Sequence, residues 1–398
     1  MKLIFITEAR YLQLTSGKLY CLESSFGMSL YERYLRHFDE VAIIARLKIG
    51  SEKEVIKNNL ISDERVKILG LPYYVGFRQF ISKYLKLKAA ISDNLKEIVT
   101  NNSVVICRIP GRIGSISIGV LRNLKVPYGV EVVGDPYDLF ARGVIKHPLR
   151  IPLRYLATTS LKNKVWKAPA ALYVTQVALQ RRYPSPNFNL GVSDVALAST
   201  YFADQAKTIS DGKMIRLISI GSLDQMYKSP DVVLKALGIL KSRAVKCSLS
   251  WIGDGKYMNQ VKQIAIDLGI EKDVHFFGKL PAGESVRDEL CKSDIFLLIS
   301  RTEGLPRAMI EAMACGLPCI GTPIGGIPEL IGDDFLVEIN DPVSLANKIQ
   351  VLINAPQIAH QQAIRNLLLS HDYEESKLEL KRKLFYDYLK KLAEISNG

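Results

Sequence analysis

Residues 294–331 read DIFLLISRTEGLPRAMIEAMACGLPCIGTPIGGIPELI. The apolar run after Asp294 has strand length and no polar alternation, so it reads as a strand covered on both faces. Breakers follow it. Pro306 suits the first position of a helix and Gly316 the residue just past its end, so the spacing predicts a helix over 306–315. A second strand, PCIG (318–321), and another helix start, GGIP (325–328), come next. Strand, helix and strand in one segment mean parallel pairing, and the same alternation runs through the whole chain.

In the first half the expected strands are LIFIT (3–7), VAIIA (41–45), VKIL (66–69), VVIC (104–107), YGVEVV (128–133) and ALYVT (171–175). In the second half they are MIRLISI (214–220), SLSWI (248–252), VHFF (274–277), DIFLLI (294–299), PCIG (318–321) and FLVEI (335–339). Helix-length segments separate them, and a chain of 398 residues is too long for one core. The expected fold class is α/β, with two Rossmann-like doubly wound parallel-sheet domains. A Pro- and Asn-rich linker, YPSPNFNLGVSD (183–194), divides them into residues 1–192 and 193–374. The tail, ESKLELKRKLFYDYLKKL (375–392), has the apolar spacing of a long amphipathic helix; residues 375–398 can complete the first domain.

Charge is distributed unevenly. Residues 1–200 hold 29 Lys+Arg and 15 Asp+Glu, a net of +14, and the remainder holds 24 and 25. The excess suggests an anionic partner for the first half: lipid head groups, a phosphorylated acceptor or nucleic acid. A basic surface kept for solubility is the alternative. The basic residues lack an aromatic-rich reading motif, so nucleic acid is not expected. No segment reaches the ~18 apolar residues that span a bilayer, and MKLIFITEARYL reads as a first strand, not a leader. Six scattered cysteines and five scattered histidines form no CxxC, HxH or HxxxH, so reduced thiols, a cytoplasmic setting and no metal site are expected.

Ligands of open parallel sheets bind beyond the carboxyl ends of the strands. Four such ends carry signals. After MIRLISI, Gly221 allows a tight exit, and Lys228 stands before Ser229-Pro230, read as N-cap and first residue of a helix. A lysine at a helix N-terminus suits phosphate. Gly253 opens a Gly-Asp-Gly turn after SLSWI, and GKLP (278–281) follows VHFF. After DIFLLI, Glu303 falls on the turn and Glu311 on the helix, and two such carboxylates can accept hydrogen bonds from vicinal diols. The amides around Gly304 and Leu305 can donate to hydroxyls or phosphate. Gly325 and Gly326 suit a diphosphate nest.

These motifs, ExxxxxxxE enclosing GLP, then GGIPEL, with GSL…YKSPDVVLKAL, WIGDG and HFFGKLP before them, resemble the nucleotide-sugar half of retaining family 4 glycosyltransferases, which have the GT-B fold. The likeness is strong over about 213–330. It is looser over the first half, at SGKLY (16–20), YERYLRHFDEVAIIAR (31–46) and EVVGDPYD (131–138), which look like the bacterial exopolysaccharide, capsule or O-antigen branch. The resemblance implies two domains facing a cleft. Glu303 would touch the donor sugar and stabilise the oxocarbenium-like centre, Glu311 the ribose diol, Lys228 the departing diphosphate, and Gly325 and Gly326 the phosphates. Lys279 and Leu280 would meet the base through their backbone. Ser16 and Gly17 would line the cleft from the first domain.

Two positions depart from the family pattern. Ser222 stands where an arginine is usual, and Arg307 or Arg301 is the expected substitute. Gly134 stands where many members have histidine, which leaves Asp135 as the first-domain catalytic candidate. The expected activity is metal-independent, retaining transfer from a UDP-sugar to a lipid-linked saccharide, with no cofactor; Asp-x-Asp, the signature of divalent diphosphate binding, is absent. Two alternatives stay open. One is a sugar-nucleotide-binding subunit inactive by itself. The other is a nucleotide-sugar epimerase of the same fold, which would use Glu131 and Asp135.

Residues 142–167, RGVIKHPLRIPLRYLATTSLKNKVWK, interleave Arg142, Lys146, Arg150, Arg154, Lys162, Lys164 and Lys167 with Ile145, Leu149, Ile151, Leu153, Tyr155, Leu156 and Trp166. Such a segment suits the surface of an anionic bilayer, and peripheral attachment to the inner face of the cell membrane is the expectation. A helix that packs on the core would read similarly.

Overall fold

The apolar runs assemble into two separate sheets. The computed structural model describes residues 1–23, 26–55, 59–140, 148–209 and 214–395. In the first domain the strands are β1 (Lys2–Leu14), β2 (Leu19–Cys21), β3 (Glu40–Gly50), β4 (Leu60–Ile61), β5 (Val66–Pro72), β6 (Ser103–Ile109), β7 (Gly129–Val132), β8 (Ala170–Tyr173) and β9 (Phe188–Gly191). Its helices are α1 (Met28–Leu35), α2 (Gly76–Ile98), α3 (Arg112–Asn123), α4 (Pro136–Leu139), α5 (Arg150–Trp166) and α6 (Ala178–Arg182). The parallel order is β5-β3-β1-β6-β7-β8-β9, with β2 and β4 added antiparallel beside the second half of β1.

Alternation along the strands sorts the core into two layers. Ile4, Ile6, Val105, Cys107, Val130 and Val132 face α2, α3 and α5. Leu3, Phe5, Val104, Ile106, Ala170 and Leu172 face α1 and the last helix of the chain.

The second domain continues with β10 (Ile215–Ile220), β11 (Cys247–Ile252), β12 (Val274–Gly278), β13 (Ile295–Leu298) and β14 (Cys319–Gly321). They form a parallel sheet in the order β12-β11-β10-β13-β14. Around it lie α7 (Pro230–Ser242), α8 (Met258–Asp267), α9 (Glu284–Lys292), α10 (Arg307–Ala314), α11 (Ile327–Ile331), α12 (Pro342–Asn354) and α13 (Pro356–Ser370). The final helix, α14 (Glu375–Ile395), returns to the first domain, where Leu378, Phe385, Tyr386, Leu389 and Ala393 are buried. Gly129 on β7 makes room for it: a Cβ there would lie 2.9 Å from Phe385 and Leu389. Outgoing and returning chains run side by side where Leu197 N–H donates to Tyr373 O and Glu375 N–H to Leu197 O, each at 2.9 Å.

Several boundaries differ from the sequence reading. β1 does not stop at Thr7; it continues through an irregularity between Ile6 and Arg10 to Leu14, because β3 runs beside it for its whole length. The segment SGKLY is therefore the turn and second strand of a β-hairpin, not a strand-to-helix loop. FLVEI (335–339) forms no strand. Leu336 has one isolated bridge to Gly321, and Asn340 at φ +63° turns the chain into α12. The linker segment 183–194 contains β9, an edge strand on β8, with both prolines placed before it. Among the described residues no helix is long and apolar enough to cross a membrane.

Because α14 lies at the end of the sequence but in the core of the first domain, Phe385→Ala should destabilise that domain by about 3–5 kcal/mol. Urea unfolding in a Trp251→Phe background, where Trp166 on α5 reports the first domain alone, measures this. A loss below about 1 kcal/mol would mean that α14 adds little to that core.

Candidate functional site

Two cavities open at the carboxyl ends of the strands, and Glu303 lines both. One, of about 520 Å³, lies within the second domain. Gly221 and Ser222 follow β10, Gly253 follows β11, and Lys279 and Leu280 follow β12; Leu305, Arg307 and Glu311 close the other side. Each glycine there permits a close approach. A Cβ on Gly221 would strike the aliphatic stem of Lys228, and one on Gly253, at φ +138°, would strike the Gly221 carbonyl.

Lys228 and Glu303 pair directly, and both side chains are largely buried. Ser300 Oγ donates a further bond of 2.9 Å to the same carboxylate. Lys228 is held in place from behind by Arg301. The Arg301 amide donates to Tyr227 O at 2.7 Å, and its guanidinium reaches Met226 O, Asp231 Oδ2 (2.9 Å) and Asn340 Oδ1 (2.7 Å). Arg301 is thus engaged in shaping the 226–228 turn and lines neither cavity. Arg307 does line the smaller cavity: 56% exposed, it stands 3.7 Å from Glu311 on the next turn of α10. Burial raises the Glu311 carboxyl above its ordinary value, against the opposing pull of Arg307. Ser222 makes the tight turn its residue type suits, donating to Asp224 Oδ2 at 3.0 Å.

Two helix-start expectations are corrected. Ser229 sits in the left-handed region at φ +50°, and its buried Oγ has no hydrogen-bond partner, so it does not cap α7 through its side chain. Pro306 is the N-cap of α10, which begins one residue later.

The second cavity, of about 680 Å³, lies between the domains. The second domain contributes Glu303, Gly304, Gly325, Gly326 and Glu329. The first contributes Asp135, Asp138, Arg181 and Arg182. The Gly326 amide is already used: it donates to Gly304 O at 2.8 Å, which removes it from the predicted phosphate nest. Gly325, at φ +55°, packs on the Glu303 backbone, where a Cβ would clash.

Across the cavity, Asp135 caps α4 by accepting from Tyr137 N–H (2.8 Å), pairs with Arg182, and accepts from Tyr183 Oη at 2.5 Å. Asp138, 3.1 Å from the same guanidinium, is pushed up by burial and by Asp135.

Ser16 and Gly17 lie exposed in the β1–β2 turn and line neither cavity. The extension of β1 carries that turn away from the strand ends. Glu131 also lines neither. It is buried under the sheet, accepting from Tyr34 Oη at 2.8 Å and from Arg108 at 3.0 Å, so the base an epimerase would need there is not presented to either cavity. Sequence reasoning missed Arg181 and Arg182. The only signal was a basic pair, QRR, just before the linker prolines. It also missed Glu329, whose contacts are with the other domain.

Residues 215–355 match the family described as "Glycosyl transferases group 1". Protein CapJ of Staphylococcus aureus is 27% identical over 363 residues, which cover 90% of this chain and 88% of CapJ. The amylovoran biosynthesis glycosyltransferase AmsK of Erwinia amylovora is 37% identical over 277 residues, 65% of this chain and 62% of AmsK. Among solved structures, HepE of Anabaena in complex with UDP aligns over 98% of this chain and 100% of its own, with a TM-score of 0.68 at 14% identity. That is a likeness of fold.

The Lys228–Glu303 pair has a direct thermodynamic test. Lys228→Ala, Glu303→Ala and the double variant should show a coupling of about 1–3 kcal/mol in urea unfolding of the second domain. Additive losses would mean the pair contributes nothing.

Proposed function

We propose that this chain, whose residues 215–355 match the group 1 glycosyltransferases, moves a sugar, with retention, from a nucleoside-diphosphate sugar to a lipid-linked saccharide in bacterial surface polysaccharide synthesis. The observation that carries this is the position of Glu303: one carboxylate at the junction of a nucleotide-sized cavity and an interdomain cavity. The 520 Å³ cavity takes the nucleotide, with Glu311 on the ribose diol and the backbone at Lys279 and Leu280 beside the base.

In the resting state Lys228 and Glu303 neutralise each other. An arriving diphosphate competes for the ammonium, and sugar hydroxyls take its place on the carboxylate. Lys228, Arg307 and the Gly325 amide then meet the charge that develops as the anomeric C–O bond breaks, so no divalent ion is needed. The acceptor hydroxyl attacks from the same face, and its proton passes to the departing phosphate oxygen. Asp135, fixed by Arg182 and Tyr183, orients hydroxyls from the opposite wall. The relative named for amylovoran biosynthesis supports the polysaccharide setting, and the UDP-bound fold relative makes a UDP-sugar the first donor to test.

The surface of the first domain supports a membrane-bound acceptor. On α5, Leu149, Ile151, Tyr155, Leu156 and Trp166 are each more than half exposed on one side, while Leu161 and Val165 are buried on the other. Arg142, Ile145 and Lys146 lie outside the described residues. A second stripe runs along the first turns of α2. Phe77, Ile81, Tyr84 and Leu85 are exposed at spacings of four, seven and eight, among Arg78, Lys83, Lys86 and Lys88, with no acidic residue between 73 and 92. Both helices cover the same face of the sheet. Arg154 ties α5 to the Asp135 loop, its Nε donating to Tyr137 O at 2.7 Å.

Two measurements test this reading. Glu311→Ala should weaken UDP itself, whereas Glu303→Ala should spare UDP and abolish transfer; Arg307→Ala and Lys228→Ala should each cost UDP about 1.5–3 kcal/mol. The carboxylate form of Glu311 accepts from both diol hydroxyls with charge assistance, the protonated form only weakly through its carbonyl oxygen, and burial raises its proton affinity. Wild-type affinity relative to Glu311→Gln should therefore fall as pH drops, starting above the ordinary carboxylate value of 4.5. Titration calorimetry with UDP over a pH series checks all of these, and equal losses of UDP in Glu303→Ala and Glu311→Ala would overturn the division of roles.

For the membrane, the protein should sediment with phosphatidylglycerol vesicles at low salt and leave them at high salt. Reversing Lys162 and Lys167, which are exposed and leave the Arg154 tie intact, should lower binding without unfolding. No binding by the wild type at low ionic strength would point to a soluble acceptor.

A further inference from the structure

One carboxylate of the second domain is spent wholly on the first. Glu329 lies on α11, three residues beyond Gly326, and reaches across the cleft to the start of α6. Its Oε1 accepts from Gln176 N–H at 3.0 Å, and its Oε2 accepts from Val177 N–H at 2.9 Å and Ala178 N–H at 3.0 Å. These amides precede and open α6, where intrahelical acceptors are lacking, and a carboxylate satisfies three of them at once.

We propose that Glu329 is a positioning residue, an interdomain clasp that sets the spacing between the donor wall and the acceptor wall of the active-site cleft. The assignment of those walls rests on the functional reading above; the clasp itself does not.

The bonds on either side make a continuous path. On the donor side, Gly326 N–H is fastened to Gly304 O and Gly325 rests on the Glu303 backbone, so α11 moves with the Glu303 turn. On the acceptor side, α6 ends in Arg182, which pairs with Asp135 and Asp138 and stacks on Tyr137 at 4.5 Å. Glu303 and Asp135, the two carboxylates that face the transferred sugar, are thus linked through this joint between the domains. The chain itself also crosses between the domains near Leu197 and near Glu374, where the two crossings are bridged side by side. A clasp beside the cleft fixes the angle that a linker crossing leaves adjustable, and a small misplacement of reacting groups is costly in rate.

The test uses the full-length protein with Glu329→Ala and Glu329→Gln, small-angle X-ray scattering for the domain arrangement, and UDP as the calorimetric probe. Glu329→Ala should show a larger radius of gyration than the wild type while binding UDP with unchanged affinity. Glu329→Gln keeps the shape and one carbonyl acceptor, and should lie between the two. An unchanged radius of gyration in Glu329→Ala overturns the clasp. So does a loss of UDP affinity in the variant alone, since it would place Glu329 in the donor site. If the wild type itself binds no UDP or other nucleoside diphosphate, the functional reading fails, and the scattering comparison still decides the clasp.

Discussion

A carboxylate at the meeting point of two cavities must have a partner, and the ion pair between Glu303 and Lys228 is the constraint on which the rest of the cleft depends. Glu303 has little contact with water, so removing Lys228 would leave a charge that Ser300 alone cannot satisfy. Bringing an ammonium to that point takes several arrangements at once. Gly221 has no Cβ, so the lysine stem can lie against the exit of β10. Arg301 binds Met226, Tyr227 and Asp231 and fixes the turn that carries Lys228. Ser229 accepts a left-handed backbone to let α7 start immediately afterwards. Gly325 then seats the next loop on the Glu303 backbone.

The same constraint explains how charge is divided across the cleft. On the second-domain wall, cations and carboxylates are paired within that domain: Lys228 with Glu303, and Arg307 with Glu311. On the first-domain wall, Arg182 serves two aspartates of its own domain. Glu329 makes the exception. Its charge is met only by backbone amides of the other domain, an interaction that depends on direction and distance and so specifies an arrangement.

The sequence by itself determined the periodic features. Apolar runs of strand length separated by amphipathic segments fix two parallel sheets, because a strand buried on both faces has no other stable setting. The spacing of Glu303, Pro306, Glu311 and Gly316 placed one carboxylate on a turn and the other on a helix, since those breakers act over one or two residues. Tertiary structure decided everything that depends on which distant groups meet. β1 extends to Leu14 because β3 pairs with it there, which carries Ser16 and Gly17 away from the cleft. The Gly326 amide is taken by Gly304, Arg301 by the Lys228 turn, Glu131 by Tyr34 and Arg108, and Glu329 by amides some 150 residues away. Local periodicity reports burial and backbone conformation. A hydrogen-bond partner across the fold leaves no trace in spacing, because the chain pays for it in three dimensions only after the sheets have formed.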